Sequence, residues 1–240
     1  MTTSHRFHLI GIGGAGMSVV AELLKDRGLE VSGSDQKESP VLDHLRSVGV
    51  KVFVGHDAAH VPAGSVVVVS TAVRETNPEL AYARKEGLTV IHRSQALALA
   101  ASGMRFVAVA GAHGKTTTSG MLSMALRQAG ADPSIAVGSV IPELGSGAHL
   151  GSGDIFVAEA DESDGSFLNY TPWIEIVTNV EPDHLDRYGS REAFEQVFVD
   201  FVGCLREGGT LVCCGEDAGS ARLARYAKEH GIDTVTYGRE

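Results

Sequence analysis

The run Phe106-Val-Ala-Val-Ala-Gly-Ala-His-Gly-Lys-Thr-Thr-Thr118 constrains this chain more than any other stretch. A short apolar, β-branched segment ends in a glycine-rich loop, and a helix-compatible segment follows. That order gathers backbone N–H groups and a helix N-terminus around one point, which suits anionic oxygens. Lys115 adds a point charge for a terminal phosphate, and the Thr116 hydroxyl can ligate Mg²⁺. The sequence therefore predicts a nucleoside-triphosphate site made of Gly111, Ala112, His113, Gly114, Lys115, Thr116 and Thr117. The loop is shorter than the general P-loop, because Val109 stands where that pattern has its first glycine.

The rest of the chain repeats the strand–helix alternation. Strands are expected at 6–12, 30–35, 51–55, 65–71 and 89–92, with helices at 15–28, 40–49, 77–87 and 94–102. After Ser102-Gly103 the pattern restarts, with strands at 105–110, 134–138, 154–160, 173–179, 210–214 and 233–237. Helices are expected at 115–129, 191–205 and 217–230, and a Gly/Ser-rich loop follows residue 138. Such βα repetition implies an α/β fold with parallel sheets covered on both faces. Two doubly wound domains follow: a Rossmann-like domain over 1–103 and a P-loop ATP-binding domain over 104–240.

At 240 residues with 43% hydrophobic content, the chain can build two cores. A net charge of −10 argues against a general nucleic-acid binder. The longest apolar runs are too short to span a bilayer, and the N-terminus shows no secretory pattern. Cys204, Cys213 and Cys214 fit no zinc spacing and read as reduced core thiols of a cytoplasmic protein.

A second glycine loop, Gly11-Ile-Gly-Gly-Ala-Gly16, follows the first strand and opens a helix. Gly11, Gly13, Gly14 and Gly16 let the backbone approach a diphosphate, and Asp35 closes the next strand where it can meet a ribose hydroxyl. NAD and a UDP-sugar both fit that pattern. Ser70, Thr71, His92 and Arg93 lie at neighbouring strand ends and could line a substrate. In the second half, Glu159-Ala-Asp-Glu-Ser-Asp164 sets carboxylates at a strand end beside the phosphate loop, where Glu159 suits Mg²⁺. Glu181-Pro-Asp-His184 ends the next strand, and His184 could ligate a metal or contact phosphate.

Taken together, these motifs resemble the ATP-dependent Mur ligases of peptidoglycan synthesis. The resemblance rests on Gly11 to Ser18, Gly33 to Asp35, Gly111 to Thr118, Glu159 to Asp164 and Glu181 to His184, and it runs from about residue 6 to 238. Ala112 replaces a usual threonine. No lysine occurs between His184 and Lys228, whereas several sister ligases carry a carbamylated lysine soon after the Asp-His motif.

The resemblance implies an amide-bond ligase that uses ATP and Mg²⁺. Its small-molecule substrates would be UDP-N-acetylmuramate and L-alanine, joined through an acyl phosphate. It implies catalytic roles for Lys115, Glu159 and His184, with one ion held by Thr116 and Glu159 and a second by Glu159 and His184. It also implies a third domain beyond residue 240, without which the chain is expected to be inactive. Three alternatives stay open: a nicotinamide oxidoreductase, a nucleotide-binding module without turnover, and a ligase of the same family that recycles a tripeptide.

Overall fold

The structure, a computed structural model, describes residues 5–183 and 185–239. Its contacts divide it into two units. One takes residues up to 100 together with 138–150, and the other takes 101–137 and 151 onwards.

In the first unit, strands β1 (Arg6–Ile10), β2 (Glu30–Asp35), β3 (Lys51–Val54), β4 (Val66–Val69) and β5 (Val90–His92) form one sheet. Its order is β3-β2-β1-β4-β5, and all its pairs are parallel. Helices α1 (Ala15–Asp26), α2 (Pro40–Ser47), α3 (Pro78–Lys85) and α4 (Arg93–Ala100) make the connections. Two helix starts are encoded alike. Ser39 accepts the Leu42 N–H and Asn77 accepts those of Glu79 and Leu80, each just before a proline at the first helical position. The core is aliphatic, with Leu9, Ile10, Ile12, Leu23, Leu24, Leu42 and Leu45 fully buried. Gly33 sits where a Cβ would come within 2.5 Å of the Leu9 carbonyl oxygen, so no other residue fits there. Because β2 and β4 flank β1, the strand order reverses at β1 and opens a crevice at the carboxyl ends.

The second sheet contains β6 (Arg105–Ala110), β7 (Ser134–Ile141), β8 (Ser146–His149), β9 (Ile155–Glu159), β10 (Ile174–Val177), β11 (Thr210–Cys214) and β12 (Asp233–Tyr237). Its order is β12-β11-β10-β6-β9-β7-β8. Helices α5 (Lys115–Gln128), α6 (Leu185–Tyr188), α7 (Arg191–Val202) and α8 (Ala218–Glu229) complete it. The core here is aromatic. Phe156, Phe167, Phe194, Phe198 and Phe201 are all fully buried, and Phe167 stacks on Phe201 at 4.3 Å.

The stretch expected as a Gly/Ser-rich loop holds strand instead: β7 runs on to Ile141 and β8 follows. Gly145, at φ 68°, makes the turn possible, and its N–H donates to the Ile141 carbonyl at 3.0 Å. Residues 138–150 cluster with the first unit, where β8 packs on α1. The three cysteines are free, but only Cys213 is a core thiol, with Cys204 and Cys214 half-buried; burial pushes the Cys213 thiol up to about 11. No described helix is long and apolar enough to cross a membrane.

Candidate functional site

Each unit presents a glycine loop at the carboxyl edge of its sheet. In the second unit the buried strand β6 delivers the chain to Gly111, and Gly114 caps α5 without any side-chain cap. The α5 N-terminus therefore has no side-chain cap, an arrangement that suits an anion. Both glycines take positive φ, 133° and 85°, and a Cβ on Gly111 would lie 2.2 Å from the Thr178 hydroxyl. The turn is braced from the end of β10. The Thr178 hydroxyl and the Asn179 amide lie 2.6 and 2.8 Å from the His113 carbonyl, while the His113 N–H donates to Asn179 Oδ1 at 3.0 Å.

Lys115 folds back over this loop. Its Nζ donates to the Gly111 carbonyl at 2.6 Å and pairs with Glu162 at 2.8 Å. Glu162 is almost fully buried, and burial pushes its carboxyl upward even though Lys115 pulls it down. The acidic segment that carries Glu162 is held by α6: Tyr188 donates to the Glu162 carbonyl and Arg187 to the Asp164 carbonyl. Glu159, the last residue of β9, is paired in register with Val109 of β6. Its Oε1 is buried and has no hydrogen-bond partner. An unsatisfied buried carboxylate oxygen at the end of the strand that neighbours β6, which feeds the phosphate loop, fits a hard divalent cation. His184 lies outside the described residues, so its expected share in an ion has no geometry here.

In the first unit a cavity of about 990 Å³ opens above the switch point. Gly11, Gly14, Gly16, Asp35, Ser70 and Arg93 line it, as do His56, Arg74 and Asn77. Gly13 stands just behind, where its N–H donates to Asp35 Oδ2 at 2.9 Å. A Cβ on Gly16 would lie 2.0 Å from a guanidinium nitrogen of Arg93, so the glycine gives Arg93 room across the loop. Thr71 and His92 are not among the lining residues. The His92 ring instead meets the Ser94 hydroxyl at 2.9 Å.

Sequence reasoning missed His56, Arg74, Asn77, Thr178 and Asn179. His56 follows β3 and Arg74 follows β4 at the same sheet edge as Ser70, so the switch-point rule could have marked both. Nothing local announces Thr178 and Asn179 as braces of a loop more than sixty residues earlier.

Comparison with known proteins places both halves. Residues 6–105 match the Mur ligase family, catalytic domain, and residues 109–240 match the Mur ligase middle domain. The chain is 55% identical over 234 residues to UDP-N-acetylmuramate–L-alanine ligase of Renibacterium salmoninarum, covering 98% of this chain and 50% of that protein. It is 56% identical over 237 residues to the ligase of the same name from Kineococcus radiotolerans, covering 97% and 50%. The chain thus spans about half the length of the curated relatives it matches. Among solved structures, a UDP-N-acetylmuramate:L-alanyl-γ-D-glutamyl-meso-diaminopimelate ligase from Neisseria superposes with a TM-score of 0.86 at 29% identity, covering 98% of this chain and 77% of that one. The UDP-N-acetylmuramate–alanine ligase of Thermotoga maritima gives 0.82 at 29% identity, covering 98% and 53%. Mur ligases are ATP-dependent and generally use Mg²⁺, and a chain with both domain matches and this identity belongs to the Mur ligase family.

Proposed function

We propose that this chain carries the UDP-sugar-binding and ATP-binding parts of a cytoplasmic ligase that joins L-alanine to the lactyl carboxylate of UDP-N-acetylmuramate. The reading assigns residues 1–103 to the UDP-sugar and 104–240 to ATP. The observation that carries it is the phosphate loop of the second unit, where Lys115, the uncapped α5 N-terminus and the orphaned Glu159 oxygen converge on one sheet edge.

In this mechanism the loop N–H groups of Gly111 to Thr117 hold the β- and γ-phosphates. Lys115 exchanges Glu162 for a γ-phosphate oxygen and neutralises charge as the phosphoryl group passes to the substrate carboxylate. Thr116 and Glu159 would hold Mg²⁺, which supplies further neutralisation when bound. The amine of L-alanine then displaces phosphate from the acyl phosphate. In the first unit the N–H groups of Gly11 to Gly16 take the UDP diphosphate, and Asp35 takes a ribose hydroxyl.

Calorimetric titration of the 240-residue chain tests the assignment. UDP-N-acetylmuramate should bind saturably and ATP–Mg²⁺ should bind independently. Saturable NAD binding that UDP-N-acetylmuramate fails to displace would overturn it. The tripeptide-adding ligase is a second reading, favoured by the TM-score of 0.86 to the Neisseria structure. Identity of 55% to an alanine-adding relative supports the first reading, whereas the solved structures of the two ligases are both 29% identical to the chain.

A further inference from the structure

Next to Asn77 and Pro78, which line the first-unit cavity, stands a carboxylate with no task in the mechanism above. Glu79, in the first turn of α3, is fully buried. Its Oε1 accepts the Asp57 N–H at 3.3 Å and faces His60 Nδ1 at 3.2 Å and His8 Nε2 at 3.7 Å. Its Oε2 accepts the Ser34 hydroxyl at 2.5 Å and lies 3.3 Å from His56 Nδ1. Burial acts to raise its pKa, but His8, Ser34 and the Asp57 N–H outweigh burial and hold it below the ordinary carboxylate value. Asp35, Arg74 and Arg93 are the other charged groups on the cavity wall.

Counting protons gives the group a role. Ser34 has one hydroxyl proton, and it goes to Glu79. Ser34 Oγ must then accept from His56 Nδ1, 2.8 Å away. Nδ1 therefore carries a proton, and Nε2 of a neutral ring is an acceptor. His56 lines the cavity, yet a phosphate oxygen offers only lone pairs. His56 can hold such an oxygen only after Nε2 takes a proton from solvent.

We propose that Glu79 is a positioning residue that, through Ser34, sets His56 to hold the diphosphate of the cavity ligand as an imidazolium, so that binding takes up one proton. This rests on reading the cavity as the UDP-sugar site.

Calorimetry of the 240-residue chain with UDP-N-acetylmuramate, in buffers of different ionisation heat from about pH 5.5 to about 8.5, tests it. The ligand's diphosphate and carboxylate keep one charge state over that range. Uptake should approach one proton, and affinity should fall up to about tenfold per pH unit at the alkaline end. His56→Asn should lower affinity about tenfold at acid pH and flatten the profile. Glu79→Gln should also lose the slope. Ser34→Ala removes the relay and leaves only the longer 3.3 Å approach of His56 Nδ1 to Glu79, so the slope should shrink, and it decides the matter if Glu79→Gln does not fold. His60→Asn should keep the slope. Saturable binding without proton uptake, or a slope that survives in both Glu79→Gln and Ser34→Ala, overturns the proposal and leaves the cavity reading standing. Absence of saturable binding by the unmodified chain overturns both.

Discussion

The two glycine loops share the order strand, loop, helix, but they arrange charge in opposite ways. In the first, a carboxylate already occupies the turn: Asp35 accepts the Gly13 N–H, and the cation, Arg93, arrives from α4 across Gly16. In the second, the cation is the loop's own Lys115, and the carboxylates Glu159 and Glu162 come from the next strand and its following segment. A turn that carries a carboxylate suits a ligand with hydroxyl donors beside its phosphates, as a ribose has. A turn that carries a lysine suits a terminal phosphate with no donors at all. The motif fixes the backbone cradle, and partners from distant segments choose the ligand.

The largest expected effect falls on the second loop. Lys115→Ala should lower affinity for ATP–Mg²⁺ by about 10²-fold and leave UDP-N-acetylmuramate binding unchanged, because a charged hydrogen bond to phosphate is lost and Glu162 is left buried without its cation. Unchanged ATP affinity would remove Lys115 from this role. Next come the glycines. Gly111→Ala meets both a φ of 133° and the Thr178 hydroxyl, and should cost about 2 kcal/mol of stability in chemical denaturation. Gly16→Ala meets only the end of the flexible Arg93 side chain. It should leave stability within about 0.5 kcal/mol and weaken UDP-N-acetylmuramate severalfold. Equal stability losses would mean that the two loops are equally rigid.

Asp35→Ala should weaken UDP-N-acetylmuramate about tenfold, with ATP affinity untouched. A matching loss for ATP would erase the distinction between the loops.

The smallest effect contrasts two buried glutamates, one from each unit. Glu79 has partners for both oxygens, whereas Glu175, on β10 between β6 and β11, has none among the described residues. Burial pushes Glu175 well above its ordinary 4.5, so it folds as a neutral acid. Its folded pKa exceeds its unfolded one, so the unfolded state loses its proton first. Stability then declines as pH rises above about 4.5 until the folded group also ionises. Glu175→Leu should raise stability by about 1 kcal/mol, with the gain growing from about pH 4.5 upward. A gain that is flat with pH would show that Glu175 is not a buried neutral acid.

Both glycine loops were legible in the sequence because their constraints are local: positive φ, a cap without a side chain, an apolar strand before and a helix after. Glu159 and Asp35 were legible for the same reason, each ending a strand at the ligand edge. His56, Arg74 and the Thr178–Asn179 brace were not singled out, because their meaning depends on residues far away in the chain. Glu79 was the most hidden. In sequence it is an acid in the first turn of a helix, where acids commonly serve the helix dipole, and only the fold brings Ser34 and three histidines around it. The strands 138–150 were hidden by their glycines and serines, which read as loop until a turn at Gly145 is known.

That excursion of residues 138–150 bears on how the protein is made. The chain leaves the first unit after residue 100 and returns to it only at 138, to lay β8 on α1 and give the Ser146 hydroxyl to Glu22 at 3.1 Å. On the ribosome, the first unit is therefore unfinished when its own sheet has emerged. It waits roughly 3–10 s of synthesis for its last piece, while β6, α5 and the first half of β7 are threaded out between. The two units are interleaved in time as well as in sequence, and a cut after residue 100 would release a first unit with one flank of α1 uncovered.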